Sequence, residues 1–274
     1  MNKLKCPAKL NLFLKITGER NDGYHDLQTY FQAVDLCDYL NLYHREDDLV
    51  LYSDNYKHDL SNNNSCVKAA ELVKNYTGIE NGIEIQLEKN IPVGAGLGGG
   101  SSNAASTILG LNNLWDLKLS EAEMLNIGRQ IGADVPFFVK QASCFAEGIG
   151  DELIDVDQPQ RYFVIIDTEE IVQTKEIYQL ISSTDSFDSK INYTKNIDCI
   201  GYNFFEKIVC KKYPKIQEIL EILRKYQNGV LTGTGGSVYS YFESIDDAKL
   251  IFQKLPDTLK KFLAKGLKSY TIYD

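Results

Sequence analysis

A run of glycines constrains this chain more than any other feature. Five of the seven residues from Gly94 to Gly100 are glycine, so the backbone there can approach a ligand closely and adopt positive φ angles. A helix is predicted directly after the run, because apolar side chains recur at steps of three and four residues, at Ala104, Ile108, Leu111 and Trp115. A helix N-terminus carries unpaired N–H groups and about half a positive charge, which together attract anions. The segment therefore predicts a phosphate-binding loop.

Three other interpretations of this loop fit the sequence less well. Gly94-x-Gly96-x-x-Gly99 matches the dinucleotide-binding pattern, but that fold needs a strand after the helix. A second helix follows instead, since Ser120 and Glu123 have the spacing of a capping box. A Walker loop would need Gly-Lys-Ser or Gly-Lys-Thr after the glycines, and the sequence has neither there. A flexible linker is not expected between a buried strand and an amphipathic helix.

Length and charge narrow the possible partners. The 274 residues suffice for two domains or one large one, and an apolar content of 43% allows a sizeable core. The 29 basic and 38 acidic residues give a net charge of −9, which repels nucleic acid backbones and anionic membrane surfaces. We therefore expect no nucleic acid partner and no membrane partner. A monomer or weak homodimer is also expected, although net charge does not determine the oligomeric state.

Cysteine usage and the N-terminus predict a cytoplasmic protein. The six cysteines include no Cys-x-x-Cys pair and only three histidines accompany them, so a zinc cluster is not expected. Scattered thiols are typical of a reducing compartment. The first residues lack the apolar core of a signal peptide, and no apolar run approaches the roughly 18 residues of a membrane span.

The hydrophobic pattern along the chain predicts a mixed α+β fold. Apolar residues alternate from Leu4 to Ile16, which predicts a strand with one buried face and with Lys9 and Asn11 on the other face. The segment Asp151–Arg161, rich in carboxylates, is interpreted as a linker between domains 1–156 and 157–274. A last strand is predicted at Ser269–Tyr273.

Three motifs resemble those of the GHMP kinase superfamily. Pro92-x-x-x-Gly96-Leu97-Gly98, running into Ser101-Ser102, resembles its phosphate loop, while Pro7–Leu12 and Leu231–Gly236 resemble its N-terminal and C-terminal motifs. Further segments resemble the branch of the superfamily whose substrate carries a cytidine diphosphate group, namely Lys9–Leu14, Gly23–His25, Gly98–Ala105, Gly132–Pro136 and Phe145–Gly148. The match is collinear over nearly the whole chain.

The resemblance implies a fold and a reaction. The expected fold is the two-domain GHMP kinase fold, with an ATP-binding N-terminal domain like ribosomal protein S5 domain 2 and a ferredoxin-like C-terminal domain. The expected reaction transfers a phosphoryl group from ATP to the 2-hydroxyl of a cytidine diphosphate-linked methylerythritol, in the non-mevalonate isoprenoid pathway. Mg²⁺ is expected because it neutralises phosphate charge in such transfers. The sequence does not identify its ligands, although Ser101 or Ser102 could contribute a hydroxyl.

The resemblance assigns catalysis to Lys9 and Asp134. Asp134 is expected to orient the substrate hydroxyl and accept its proton, as a general base does. Lys9 is expected to keep Asp134 ionised and to stabilise negative charge on the transferred phosphoryl group. Each residue taken alone has a plainer interpretation, since Lys9 could be a solvated strand lysine and Asp134 a loop aspartate that accepts hydrogen bonds from nearby N–H groups.

The other site residues also follow from the resemblance. The predicted substrate-binding residues are Asn11, Tyr24, His25, Thr174, Tyr178 and Gly235. Tyr24 is expected to stack on the cytosine and His25 to bond its edge, with Tyr178 as a second stacking ring or, alternatively, as a core residue. The predicted ATP-binding residues are Asn64, Lys89, Pro92, Gly94, Gly96, Leu97, Gly98, Gly99, Gly100, Ser101 and Ser102. Asn64 could equally be a plain loop residue, and Lys89 a strand-end lysine.

Two other functions stay open at this point. The chain could phosphorylate another alcohol, such as homoserine or mevalonate, or it could be a non-catalytic S5-like module that binds RNA. The Tyr24-His25 pair favours a nucleotide-bearing substrate, because a small alcohol needs no aromatic clamp. The net charge of −9 argues against RNA.

Overall fold

The computed structural model describes residues 3–56, 64–157, 159–181, 186–191 and 200–273. The strands of this part are β1 Leu4–Glu19, β2 His25–Arg45, β3 Val50–Asp54, β4 Gly82–Glu88, β5 Cys144–Glu147, β6 Glu152–Asp155, β7 Tyr162–Asp167, β8 Val230–Leu231, β9 Ser237–Phe242 and β10 Lys260–Leu267. The helices are α1 Ser65–Thr77, α2 Gly99–Leu114, α3 Glu121–Arg129, α4 Val135–Lys140, α5 Thr174–Gln179, α6 Glu206–Lys212, α7 Pro214–Arg224 and α8 Ile245–Lys254.

One sheet runs through both halves of the molecule. Its main path has the order β3-β4-β2-β10-β7-β9-β8, and β1 and β5 both pair with β2 off this path. Strands β2 and β10 join the halves through a short antiparallel register in which Gly266 and Leu267 face Val34 and Ala33. An apolar cluster that contains Leu10 and Phe163 spans this junction. The boundary between residues 156 and 157 stays a prediction.

Strand β1 is buried on both faces, so the prediction of a single buried face is wrong. Lys9 is only 5% exposed and Asn11 only 2%. The second face is covered by segments distant in sequence: a Cβ at Gly98 would lie 2.9 Å from Lys9 Cγ, and a Cβ at Gly233 would lie 3.5 Å from Asn11 Oδ1. Alternation in sequence reports only that one face is apolar, and it cannot show what packs on the other.

Three local predictions have mixed outcomes. The capping box is confirmed, because the Ser120 hydroxyl accepts from the Glu123 N–H and the Glu123 carboxylate accepts from the Ser120 N–H. The segment Asp151–Arg161 is not simply a linker, since it contains β6, which pairs with β5. The last strand is β10 rather than Ser269–Tyr273, where only an isolated bridge between Ser269 and Ala142 forms.

Helices α1 to α4 pack on the N-terminal part of the sheet, and helices α6 to α8 pack on the C-terminal part. Within the described ranges, no helix combines the length and the apolar character needed to cross a bilayer.

Candidate active site

Two glycine loops from opposite halves of the chain meet in the middle of the molecule. Gly96 has a φ of 73°, and a Cβ at this position would overlap the carbonyl oxygen of Gly235 and lie 3.1 Å from that of Thr232. A Cβ at Gly236 would in turn lie 2.6 Å from the carbonyl oxygen of Gly94. The loops therefore pack backbone against backbone, which only glycine allows.

The predicted phosphate loop ends where α2 begins. The first N–H groups of any α-helix have no partner within the helix. Gly98, with a φ of 71°, precedes α2 and has no side chain that could cap these groups. The first backbone bond of the helix runs from the Ser102 N–H to the carbonyl of Gly98. A Cβ at Gly98 would lie 2.9 Å from Cγ of Lys9, so its absence lets Lys9 pass beside the loop. An anion at this helix start would thus lie close to a lysine.

Lys9 and Asp134 face each other, as the sequence predicted. Lys9 Nζ lies 3.5 Å from Asp134 Oδ2, and the Asp134 side chain is 34% exposed. Asp134 stands just before α4, yet its carboxylate makes no hydrogen bond to the helix start. This does not favour the plainer interpretation of Asp134 as a loop aspartate that accepts hydrogen bonds from nearby N–H groups. The carboxylate faces the cavity with one oxygen towards the lysine.

Asn11 holds the Lys9 ammonium through a chain of hydrogen bonds. Lys9 Nζ donates to Asn11 Oδ1 at 2.7 Å, Asn11 Nδ2 donates to the Thr29 hydroxyl at 2.8 Å, and that hydroxyl donates to the carbonyl of Phe13 at 2.6 Å. Because the hydroxyl is used both as acceptor and as donor, the Asn11 amide has a defined orientation with its oxygen towards Lys9. Asn11 thereby restricts the position of the ammonium.

An aromatic cluster occupies the far end of the cavity. Tyr24 follows the turn at Gly23 and is 61% exposed. The His25 ring lies 5.5 Å from that of Tyr178 and 6.1 Å from that of Phe187. The Nδ1 atom of His25 is buried and has no partner among the described residues. The cluster thus combines exposed ring surface with an unused polar atom.

Tyr178 has properties both of a core residue and of a ring that lines the cavity, the two interpretations given to it above. Its ring lies 4.8 Å from that of Phe205 and packs against the C-terminal core, yet it also lines the cavity. Burial raises the pKa of the Tyr178 hydroxyl well above its usual value, and the nearby negative charge of Asp134 raises this pKa further. Tyr178 therefore stays a neutral phenol at physiological pH and lies within electrostatic reach of Asp134.

Lys89 is a buried partner of Asp38. Its Nζ lies 2.5 Å from Asp38 Oδ2 and donates to the carbonyl of Ile91 at 2.9 Å. The other carboxylate oxygen of Asp38 accepts from the N–H groups of Asn90 and Ile91. A Cβ at Gly99 would lie 2.9 Å from Lys89 Nζ, so the ammonium borders the start of α2. Lys89 thus anchors the loop entrance as one half of a buried ion pair.

The remaining predicted residues differ in whether they line the cavity. Asn64 caps α1 by accepting from the N–H groups of Cys66 and Val67, and it lines the cavity. The Thr174 hydroxyl lies 3.0 Å from that of Thr234. Gly235 and Ser102 do not line the cavity. The Gly235 backbone packs on Gly96, and the Ser102 hydroxyl is buried in α2 without a partner among the described residues.

The cavity has a volume of about 1340 Å³, enough for two nucleotide-sized ligands. The predicted residues that line it are Lys9, Asn11, Tyr24, His25, Asn64, Lys89, Pro92, Gly94, Gly96, Leu97, Gly98, Gly99, Gly100, Ser101, Asp134, Thr174 and Tyr178. The structure thus brings together side chains from both halves of the chain.

Among the cavity residues that sequence reasoning missed, two have features that suit ligand binding. Asn103 is 1% exposed and its Oδ1 atom has no partner among the described residues, although the residue lines the cavity beside the loop. Its position in the first turn after the glycines could have indicated it. Phe187 is 37% exposed and lies beside His25, but no motif surrounds it in the sequence.

The described residues contain few side chains that could bind a metal ion without help from a ligand. No group of three or more His, Cys, Asp or Glu side chains that could hold a metal occurs in this part of the chain. Ser101 places a hydroxyl at the cavity wall beside the glycine loop. Mg²⁺ commonly keeps several waters and binds substrate phosphates with only one or two protein ligands, so this donor set is compatible with magnesium bound mainly by a nucleotide.

Two protein-family models match this chain. The model described as GHMP kinases N terminal domain matches residues 64–141, and the model described as GHMP kinases C terminal matches residues 189–261. The 4-diphosphocytidyl-2-C-methyl-D-erythritol kinase of Shewanella loihica is 40% identical over 267 residues, which span 95% of this chain and 92% of that protein.

Solved structures resemble this one over nearly the full length. A crystal structure of 4-(cytidine 5'-diphospho)-2C-methyl-D-erythritol kinase superposes with a TM-score of 0.83 at 27% identity, covering 96% of this chain and 98% of that one. A crystal structure of mevalonate kinase superposes with a TM-score of 0.72 at 16% identity, covering 97% and 99% of the two chains. The second likeness concerns the fold alone.

Proposed function

Because this chain belongs to the 4-diphosphocytidyl-2-C-methyl-D-erythritol kinases of the GHMP kinase family, we propose that it phosphorylates the 2-hydroxyl of that cytidyl substrate. The phosphoryl donor is ATP, and the reaction is a step of the non-mevalonate isoprenoid pathway. The observation that carries the proposal is the meeting of Lys9 and Asp134 beside the start of α2, in one cavity with the aromatic cluster.

The ATP phosphates are assigned to the loop from Gly94 to Gly100. The unpaired N–H groups at the start of α2 favour anions, and Lys9 and Lys89 place two positive charges beside them. Each ammonium is also paired with a carboxylate, Asp134 or Asp38, so the attraction for phosphate rests mainly on the N–H groups at the helix start, in a chain with a net charge of −9. Asn64 and Lys89 border the side of the cavity assigned to adenosine.

Asp134 acts as the general base of the proposed reaction. The substrate hydroxyl gives its proton to the carboxylate while its oxygen forms a bond to the γ-phosphorus, and the bond from that phosphorus to the β–γ bridging oxygen breaks. ADP is the leaving group. The free, cavity-facing carboxylate supports this role, because a base needs an oxygen that is not committed to the fold.

Lys9 supplies electrostatic stabilisation. Its ammonium is held by Asn11 and lies 3.5 Å from Asp134 Oδ2. During transfer the same charge opposes the negative charge on the phosphoryl oxygens. Mg²⁺ would be held mainly by the nucleotide phosphates, with the Ser101 hydroxyl as a candidate protein ligand, and would neutralise further phosphate charge.

The cytosine is assigned to the aromatic cluster. Tyr24 offers an exposed ring for stacking, and His25 lines the cavity with a buried Nδ1 that has no partner among the described residues and could bond the edge of a base once the ring shifts. Phe187 and Tyr178 stand on the other sides of His25. A small alcohol such as mevalonate or homoserine would leave this part of the cavity empty.

The experiment that tests the proposal is a turnover assay with a panel of alcohols. Purified protein is mixed with Mg·ATP and the cytidyl substrate, mevalonate or homoserine, and ADP release is followed together with ³¹P NMR of the product. We expect a new phosphate monoester only with the cytidyl substrate. Preferred turnover of mevalonate or homoserine would refute the proposed substrate, and stable RNA binding without turnover would favour the non-catalytic alternative.

A further inference from the structure

A buried glutamine near the start of β2 bonds to a distant part of the chain. Gln28 is 1% exposed, and its side-chain amide forms three hydrogen bonds. Oε1 accepts from the Ile191 N–H at 2.8 Å, while Nε2 donates to the Ile191 carbonyl at 3.1 Å and to Glu147 Oε1 at 2.6 Å. One side chain therefore pairs with both main-chain groups of Ile191, as a neighbouring strand would.

The segment that Gln28 holds carries Phe187. Residues 186–191 have no regular secondary structure, so no helix or sheet ladder fixes them. Besides Gln28, the segment is tied by the Asp188 N–H, which donates to the carbonyl of Ile16, and by the Tyr202 hydroxyl, which donates to Asp188 Oδ1. Phe187 directly precedes Asp188 and comes four residues before Ile191, and it lines the cavity beside His25.

Glu147 determines which way the Gln28 amide points. An ionised carboxylate only accepts hydrogen bonds, so the Nε2 end of the amide must face Glu147. The Oε1 end is then directed at the Ile191 N–H. Glu147 lies on β5, whose pairing with β2 at Thr29 and Ala146 keeps the two side chains adjacent.

We propose that Gln28 is a positioning residue that fixes Phe187 against His25 and so sets the width of the pyrimidine-binding end of the cavity. This inference rests on the proposed function for the identity of the ligand. Gln28 itself does not line the cavity, so it acts on the ligand only through the 186–191 segment. A well-placed ring binds a base without the cost of ordering the segment first.

The kinetic test compares Gln28→Met with Gln217→Met, a control on the exposed face of α7. We expect Gln28→Met to raise KM for the cytidyl substrate about tenfold, while KM for ATP and kcat stay within about twofold of wild type. A loss shared equally by both substrates would overturn the proposal, because a general weakening of the fold affects both ends of the cavity.

A double-mutant cycle links Gln28 to the Phe187 ring. Once Phe187→Ala has removed the ring, Gln28→Met should raise KM for the cytidyl substrate by no more than about twofold further. Fully additive effects would overturn the proposal.

If Gln28→Met fails to fold, Gln28→Glu replaces it. This variant places two carboxylates next to each other, and the double variant Gln28→Glu/Glu147→Gln should recover part of the loss in KM. No recovery would count against the proposed pairing.

Hydrogen exchange tests the attachment without relying on any substrate. In the free protein, the Ile191 and Asp188 amides should exchange at least about tenfold faster in Gln28→Met than in wild type or Gln217→Met. Unchanged exchange would overturn the proposal. Wild-type protein that fails to phosphorylate the cytidyl substrate would instead refute the proposed function and leave the exchange result intact.

Discussion

Lys9 and Asp134 carry opposite charges but have very different exposures, and the difference fits the tasks proposed for them. Lys9 is buried and bonded to Asn11, so its charge has a fixed position. Asp134 is one-third exposed and makes no hydrogen bond to the helix that follows it. A fixed cation can stabilise developing charge without reorganising, whereas a base must be able to reach its substrate.

Replacing Asp134 with asparagine should remove the base and keep the shape of the side chain. We expect Asp134→Asn to lower kcat at least about 10²-fold with little change in ATP binding, because the amide cannot take up the hydroxyl proton. Steady-state kinetics and ATP titration measure the two effects. Asp257→Asn, at a fully exposed aspartate, is the matched control and should keep the wild-type rate. A wild-type rate in Asp134→Asn would remove Asp134 from the mechanism.

Replacing Tyr24 with alanine should separate the two ends of the cavity. We expect Tyr24→Ala to weaken binding of the cytidyl substrate by ~1–3 kcal/mol, the usual contribution of a base stacked on an aromatic ring, and to spare ATP. Isothermal titration with each ligand measures the difference. Tyr226→Ala removes a similarly exposed tyrosine that does not line the cavity, and it should change neither affinity. Equal losses for both ligands in Tyr24→Ala would show that the cytosine lies elsewhere.

At the scale of elements, the site depends on how two loops and one helix meet. The loop before α2 and the loop between β8 and β9 belong to different halves of the chain, and they touch through backbone atoms at Gly96 and Gly235. Each loop therefore restricts the conformation of the other. Thr168 adds to this arrangement, because its N–H and its hydroxyl both donate to the carbonyl of Gly236.

A methyl group at Gly96 should disturb both loops together. Gly96→Ala would overlap the Gly235 carbonyl and would force an alanine to keep a φ of 73°. We expect a loss of ~1–3 kcal/mol in unfolding free energy and a larger loss in ATP affinity. Denaturant unfolding and ATP titration measure these changes. Gly132→Ala is the control, since its methyl would come no closer than 3.9 Å to Val135 and needs no positive φ. Equal stability and ATP affinity of Gly96→Ala and the wild type would contradict the proposed contact.

At the scale of the whole molecule, a continuous sheet and a shared apolar cluster join the two halves around the cavity. The GHMP kinase fold expected from the motifs is confirmed by the family matches and by the superposition with a solved kinase structure. Three of the cysteines, Cys6, Cys66 and Cys144, are fully buried within the core. These thiols contribute to packing and report on global unfolding.

The buried thiols should resist alkylation as long as the molecule is folded. Burial raises the pKa of Cys66 and of Cys144 to about 12, and it raises the pKa of Cys6 as well. At pH 8 the reactive thiolate is then only about one part in 10⁴, because each pKa unit above the pH reduces it tenfold. Iodoacetamide labelling followed by peptide mass spectrometry should show protection of all three cysteines, and their rapid labelling in guanidinium. Partly exposed Cys210 is the internal comparison. Rapid labelling of the three in the folded protein would contradict the packing described here.

Local features of the chain were readable from its sequence. The glycine loop, the helix after it and the capping box at Ser120 depend on residues a few positions apart, and backbone sterics and periodicity determine them. The Lys9–Asp134 pair was predicted only through the resemblance, because no local rule relates two residues so far apart in the sequence.

By itself, then, the sequence determined the fold family, the glycine loop with the helix after it, and many of the residues that line the cavity. Tertiary structure alone decided that both faces of β1 are buried, that Gly96 lies against Gly235 and that Phe187 lies beside His25. The reason is physical: these contacts join segments whose order in the chain says nothing about their distance in space. They form only when both halves pack around the junction of β2 and β10.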